Sequence, residues 1–517
     1  MLTGRRTLII TLLLLVLVTA ACTNQATADP VTTTPVEETV NPPGESLTPG
    51  DSANEPTATI SSPTTEPTED ISQVPENELK PVEEDQTTRY RLTAVLDYWN
   101  HHLGVDEQIS FTNRSPDTLT DLLLIVEPTR YPSVFRLTGM TWEDGEAVEN
   151  YAFDLGQIII PLRKPLLPGE RIHLSLSYEL NIPSPDSSYY GRPVPFGYTA
   201  RQTNLVDWYP FIPPYIPGEG WLANQAGAFG EHLVYEVADF EVNIQLVGNS
   251  KDLIIAASAA DEPEGEWHHY LHKAARNFAW SVSHMYEVTS TIVDEVTVLG
   301  YAFPMHTSAG ERTLEVTAEA LDLYNQLYAP YPRGTLSVVE ADFLDGMEFD
   351  GLYFLSNGFY NLYSGKPDDY LTAIAAHETA HQWWYARVGN DQAMEPWLDE
   401  ALCTYSERLY FENIYPEALD WWWTYRVNYY DTRGWVDGSI YNPEGYRAYR
   451  DAVYLNGAVF LEELRETIGE QAFFAFIADF AVQNTDRIAT ADDFFANLEE
   501  HTQEDLSALL LKYFYFR

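Results

Sequence analysis

With Cys22 and Cys403 as its only cysteines, the chain has no disulfide framework to build on. It is also short of bases: 29 Lys and Arg stand against 78 Asp and Glu, a net charge of −49. Phosphate backbones are held by clustered cations, so nucleic acid is excluded as a partner. The acidic excess would draw cationic peptides modestly, and most of it reads as solvated exterior screened by salt. Aromatic residues are missing from residues 23–88, where Thr, Pro, Glu, Ser and Asp dominate and Lys80 is the only base. Such a stretch cannot bury enough apolar surface to fold, so it reads as a disordered stalk.

The apolar run at residues 8–18 is too short to span a bilayer comfortably. Behind Arg5 and Arg6 and ahead of small residues, it reads as a signal peptide over 1–21. The string Thr-Ala-Ala-Cys ending at Cys22 resembles a bacterial lipobox, which implies lipidation of Cys22. The expected location is then the outer face of a bacterial cytoplasmic membrane, with the linker at 22–88 as a tether; without the lipid the protein is secreted. Cys403 reads as a packed core thiol.

Aromatic residues begin at Tyr90, and at 45% hydrophobic and 14% aromatic the chain can bury two substantial cores. Residues 157–162, 172–178 and 240–246 alternate apolar and polar side chains between turn signals, which predicts an all-β, sandwich-like domain over 89–289. His268, His269 and His272 lie in such a strand with no companion ligand motif, so they read as structural. From about 290 the pattern changes to one or two strands through 296–303, a helix over 312–328, another strand over 335–340 and then mostly helices, an α+β domain over 290–517.

The most informative string is His377-Glu378-Thr379-Ala380-His381. Two imidazoles four residues apart on a helix lie about 40° apart around its axis and reach one ion, the geometry of a zinc site. Residues 370–376 lead into it with helix-forming residues, and Pro367, Asp368 and Asp369 suit a helix start; no Gly or Pro follows before Gly389. Glu378 then points near the ion without having to ligate it, where a general base must sit. A second helix opening at Pro396 and running to about Tyr415 brings Glu400, a third ligand that leaves one position open for catalysis. Glu407, seven residues on and on the same face, would orient a ligand.

These strings resemble the gluzincin zinc aminopeptidases of the aminopeptidase N and leukotriene hydrolase type. In that family eighteen residues separate the pentad from a glutamate in a Trp-Leu-Asn-Glu-Gly-like string; here eighteen separate His381 from Glu400, within Trp397-Leu398-Asp399-Glu400-Ala401. The family's Gly-Ala-Met-Glu-Asn string resembles Asp345-Gly346-Met347-Glu348-Phe349, with Asp for the first Gly and Phe for Asn. Its Tyr-x-Lys-Gly string resembles Tyr454-Leu455-Asn456-Gly457. Residues 221–231 and 278–283 look like the family's first domain, so the resemblance runs from Tyr90 onward.

The resemblance implies a thermolysin-like catalytic domain, one Zn²⁺ held by His377, His381 and Glu400, and Tyr454 as a phenol donor to the oxyanion. It implies substrate binding by Met347 and Glu348, the latter pairing with a free α-ammonium, and Gln202 is a further candidate for that amine. It also implies a short form without the family's large helical C-terminal domain, and a more open cleft. The expected function is a zinc aminopeptidase that trims peptides with a free N-terminus outside the membrane. The alternatives are a gluzincin endopeptidase, an epoxide-opening side activity, or a surface binding lipoprotein on the same fold.

Overall fold

The computed structural model describes residues 86–154, 156–184, 195–430 and 432–515. The signal peptide, Cys22 and the linker up to residue 85 lie outside the described residues.

Twenty strands are described: β1 Thr88–Asp97, β2 His102–Thr112, β3 Leu119–Ile125, β4 Phe135–Trp142, β5 Ala152–Asp154, β6 Gln157–Leu166, β7 Arg171–Asn181, β8 Gly197–Tyr198, β9 Gln202–Leu205 and β10 Tyr215–Ile216. They continue as β11 Gly220–Trp221, β12 Ala238–Val247, β13 Ile254–Ala257, β14 His268–Ala275, β15 Trp280–Ser283, β16 Glu287–Val293, β17 Val296–Ala302, β18 Thr335–Ala341, β19 Gly346–Phe349 and β20 Leu352–Ser356.

The first part is built from strands that alternate as the sequence predicts. In β1, Tyr90, Leu92, Ala94 and Leu96 are buried on one face. The strand runs antiparallel to β2 and parallel to β12 in a six-stranded sheet of order β14-β12-β1-β2-β7-β4. Two smaller sheets, β3-β6-β5 and β13-β15-β9-β8, share one hydrophobic core with it that includes Trp208, Trp280 and Tyr178.

A five-stranded sheet of order β16-β17-β18-β20-β19 begins the second part. Its first strand, β16, starts at Glu287 and crosses the expected border at 289/290. The central pairs β17–β18 and β18–β20 are parallel, and the outer pairs are antiparallel. Helix α1, Thr307–Leu327, makes the crossover from β17 to β18. Helices α2, Tyr370–Ala380, and α3, Trp397–Ile414, follow and carry the metal-motif residues.

The way the two parts join explains the near-continuous apolar runs of β18 and β20. Val339, Ala341, Leu352 and Phe354 face the β-domain core, whereas Leu336, Val338, Tyr353 and Leu355 face the helical core. Strands buried on both faces lose the polar half of the alternation. Asp350, at the turn between β19 and β20, is the polar anchor of the junction. It accepts from Arg333 Nε (2.6 Å), Arg333 Nη2 (2.7 Å) and the Arg276 backbone (2.9 Å), and lies 3.3 Å from His272 Nε2. His272 is thus part of the junction, in the strand that the sequence predicts.

Candidate metal centre

Helix α2 starts where expected: Asp369 is its N-cap and accepts from Thr372 N at 3.0 Å. It stops earlier than the absence of Gly and Pro suggests. His381 keeps helical angles, φ −61° and ψ −14°, at the C-cap, and the chain then turns so that Trp383 and Trp384 enter the helical core. Burial of two indoles outweighs a propensity that would have continued the helix. The Tyr324 hydroxyl of α1 shares its proton between the carbonyls of Ser406 (2.9 Å) and Ala376 (3.2 Å), tying together the two helices that carry the motif.

The pentad and Glu400 converge. His377, Glu378 and His381 place ligand atoms within 4.8 Å of one another, and Glu400 Oε2 lies 3.1 Å from His377 Nε2 and 3.7 Å from His381 Nε2. Each imidazole is turned by a bond at its other nitrogen. His381 Nδ1 donates to the Trp384 carbonyl at 3.0 Å, which fixes its tautomer because a carbonyl only accepts. His377 Nδ1 meets Glu407 Oε1 at 2.9 Å. Both Nε2 atoms therefore face Glu400, and burial lowers the basicity of His381, aided by His377.

Two carboxylates are thus within reach of the imidazoles, and their supports separate them. Glu400 reaches between both Nε2 atoms from the second helix. Glu378 is packed against Gly346, where a Cβ would overlap its Oε1, and its Oε2 is buried without a hydrogen-bond partner. Burial, then Glu348 and Glu400, push Glu378 well above the usual carboxylate range; burial and Glu231 do the same to Glu400. Two imidazoles and an acid aimed at one point, beside an orphaned buried carboxylate oxygen, are a donor set that a divalent cation of zinc's ligand preference fits.

Glu407 holds His377 as its spacing from Glu400 predicts. It is fully buried and also accepts from Trp422 Nε1 (2.8 Å), Arg426 Nε (2.9 Å) and Arg426 Nη2 (2.7 Å). Burial opposes its charge, but Arg426 and His377 outweigh that and keep it below the usual range. Tyr454 donates to Glu400 Oε1 at 2.5 Å, and its ring lies parallel to His377 with centroids 6.1 Å apart. Arg426 and Tyr454 both sit in π-helical turns, Trp422–Val427 and Asp451–Asn456, a distortion that re-aims one side chain and recurs at functional sites.

Glu348 is buried on β19, the edge strand of the sheet, and accepts from Gln392 Nε2 at 3.0 Å; the same amide reaches Asp399 Oδ2 at 3.1 Å. Burial, then Glu231 and Glu400, raise Glu348. Met347, the next residue back, packs against the β-domain core instead, beside a crevice of about 30 Å³ with Tyr131 and Phe196. Strand alternation therefore separates Met347 from Glu348. Gln202 is also not brought to the site. It is fully buried, its Nε2 lies within hydrogen-bond distance of Asn204 (3.0 Å), Tyr286 (2.7 Å) and the Glu340 carbonyl (3.3 Å), and its Oε1 accepts from Asp342 N (2.7 Å). Cys403 is buried and packs near the Trp384 carbonyl. Reasoning from sequence missed Arg426, Gln392 and Glu231, since a lone residue in a loop or turn has no spacing to betray it.

A histidine pair and a glutamate from successive helices, beside a sheet edge bearing a buried acid, are the arrangement that the resemblance to the gluzincins implies. Residues 312–513 match the Peptidase family M1 domain. Aminopeptidase M1-B of Oryza sativa subsp. japonica is 27% identical over 221 residues, 39% of this chain. Endoplasmic reticulum aminopeptidase 2 of Bos taurus is 26% identical over 241 residues, 44% of this chain. The matches span 25% of the length of these curated relatives. Among solved structures, the M1 zinc metallopeptidase from Deinococcus radiodurans superposes with a TM-score of 0.60 at 18% identity, covering 82% of this chain and 93% of that one. A point mutant of that peptidase, bound to a Tyr-Ser-Ala substrate, superposes with a TM-score of 0.58 over the same shares. The likeness to the M1 family is thus carried in sequence by residues 312–513 and in fold by the solved M1 zinc metallopeptidase structures.

Proposed function

We propose that the protein is a zinc-dependent aminopeptidase that removes N-terminal residues from peptides outside the membrane, held at the outer face of a bacterial cytoplasmic membrane by a lipid on Cys22. The observation that carries the catalytic part is the convergence of His377, His381 and Glu400 beside the unpartnered Glu378 Oε2, with Glu348 on the adjoining edge strand. His377, His381 and Glu400 would hold one zinc ion. When bound, zinc supplies Lewis acidity, polarising a carbonyl and making water a nucleophile at neutral pH.

The chain's own groups do the rest. Glu378 accepts the proton of the attacking water at Oε2 and passes it to the leaving amine, and its buried setting favours holding that proton between the two steps. Tyr454 donates its phenolic proton toward the developing oxyanion, which requires it to leave Glu400. Glu348 accepts from the substrate's α-ammonium, and Gln392 keeps its carboxylate aimed. Arg426 and Glu407 hold His377 in its tautomer.

The test is turnover of aminoacyl amides with and without N-acetylation by wild type, Glu378→Gln and Glu348→Ala. Free substrates are expected to be cleaved and acetylated ones not. Glu378→Gln is expected to lose about 10²- to 10⁴-fold in kcat. Glu348→Ala is expected to lose the discrimination against acetylated substrates. Equal cleavage of blocked and free substrates by wild type would point to an endopeptidase; chelator-insensitive inactivity would point to a binding protein.

A further inference from the structure

We propose that Asp345 makes the cleft selective for peptides whose second residue carries a positive charge; this rests on the aminopeptidase reading, with Glu348 at the α-ammonium. Asp345 stands where the strand leading into the site begins, and its backbone has φ 79°, a left-handed conformation uncommon outside glycine. Its side chain is exposed. One oxygen accepts from Gly346 N at 3.2 Å and the other lies 3.5 Å from Tyr446 Oη, a long contact. It makes no salt bridge among the described residues. Arg426, whose charge it helps to stabilise, is already engaged by Glu407.

The order of groups along the strand assigns the subsite. Glu348 is three residues beyond Asp345, about 10 Å at most at an extended rise, and the left-handed backbone of Asp345 breaks the strand alternation and leaves its side chain toward Tyr446. Between them Gly346 abuts Glu378, whose Oε2 is buried without a partner. An extended peptide advances at the same rise. With its ammonium at Glu348, its scissile bond lies beside Glu378, and the side chain of the following residue reaches Asp345. A carboxylate there, exposed enough to be salt-screened yet without an ion-pair partner, favours Arg or Lys over a neutral side chain of similar length.

The experiment compares kcat/KM for Ala-Arg-amide, Ala-Gln-amide and N-acetyl-Ala-Arg-amide with wild type, Asp345→Asn and Asp345→Gly. Glycine adopts the left-handed backbone without strain, so Asp345→Gly is expected to unfold at or above the wild-type midpoint and to keep the test alive if the amide variant misfolds. Wild type is expected to prefer Arg over Gln by about three- to tenfold, mainly through KM and less at high salt. Both variants are expected to bring the ratio within about twofold. An Arg-to-Gln ratio unchanged in Asp345→Gly overturns the proposal. Cleavage of the acetylated peptide at the same rate overturns the aminopeptidase reading instead. If no peptide turns over, calorimetry of the two free dipeptide amides on Glu378→Gln decides: tighter Ala-Arg binding lost with Asp345→Gly supports the subsite, and equal binding overturns it.

Discussion

Glu407 never faces the proposed substrate, yet it settles which nitrogen of His377 is free. With Arg426 and Trp422 saturating its remaining lone pairs, it has one orientation, and His377 inherits that orientation. Glu407→Gln keeps the shape but replaces an acceptor with a mixed donor and acceptor and strands the Arg426 charge. Zinc affinity, measured by competition with a chelator, is expected to fall about 10- to 100-fold while the far-ultraviolet spectrum is unchanged. An unaltered affinity would mean that the carboxylate only packs the helix. At this scale the sequence was legible wherever a position depends on spacing along one helix, as for His377, His381 and Glu407. It was silent on Arg426 and Gln392, whose positions arise from π-turn and loop geometry, and on the packing of Met347 against the β-domain core, because a matched string does not reveal which face of a strand is buried.

Among the elements, β19 matters more than its four residues suggest. It is the open edge of the sheet, it sets Glu348 and Gly346 on one face, and Gly346 leaves the space that Glu378 fills. A side chain there displaces the base rather than unfolding the sheet. Gly346→Ala is accordingly expected to lower kcat by at least about tenfold with the thermal midpoint changed little; each increment of about 1.36 kcal/mol added to the barrier is a factor of ten. A fully active alanine variant would show that Glu378 has room elsewhere. The strands and the two helices that carry the pentad and Glu400 were readable from period and capping signals. The early end of α2 was not, because the burial of Trp383 and Trp384 is a tertiary effect.

For the molecule as a whole, the junction of the β-domain and the catalytic sheet ties the site to its frame. Asp350 is fully buried, and although burial disfavours its charge, Arg333 and His272 outweigh that and hold it below the usual carboxylate range; burial and Arg333 lower His272 as well. Both groups bind protons less readily folded than unfolded, so both contribute stability that is present at neutral pH and lost on acidification. The loss begins as pH falls below about 6.5 for His272 and about 3.9 for Asp350, their unfolded values. Asp350→Asn leaves Arg333 buried and uncompensated. A cost of about 3–5 kcal/mol is expected, together with a flatter acid limb in the unfolding midpoint plotted against pH. A midpoint that responds to acid as wild type does would remove Asp350 from that role. The sequence revealed two cores and their order, but not that one sheet serves both.

The account rests on a single divalent ion between two helices, and zinc content of the purified, folded chain tests it most directly. Elemental analysis with X-ray absorption at the zinc edge is expected to find one zinc per chain with two nitrogen ligands and carboxylate oxygen. His381→Ala and Glu400→Ala are expected to lose that zinc while remaining folded. A folded wild-type protein that neither contains zinc nor takes it up would contradict the assignment of the site.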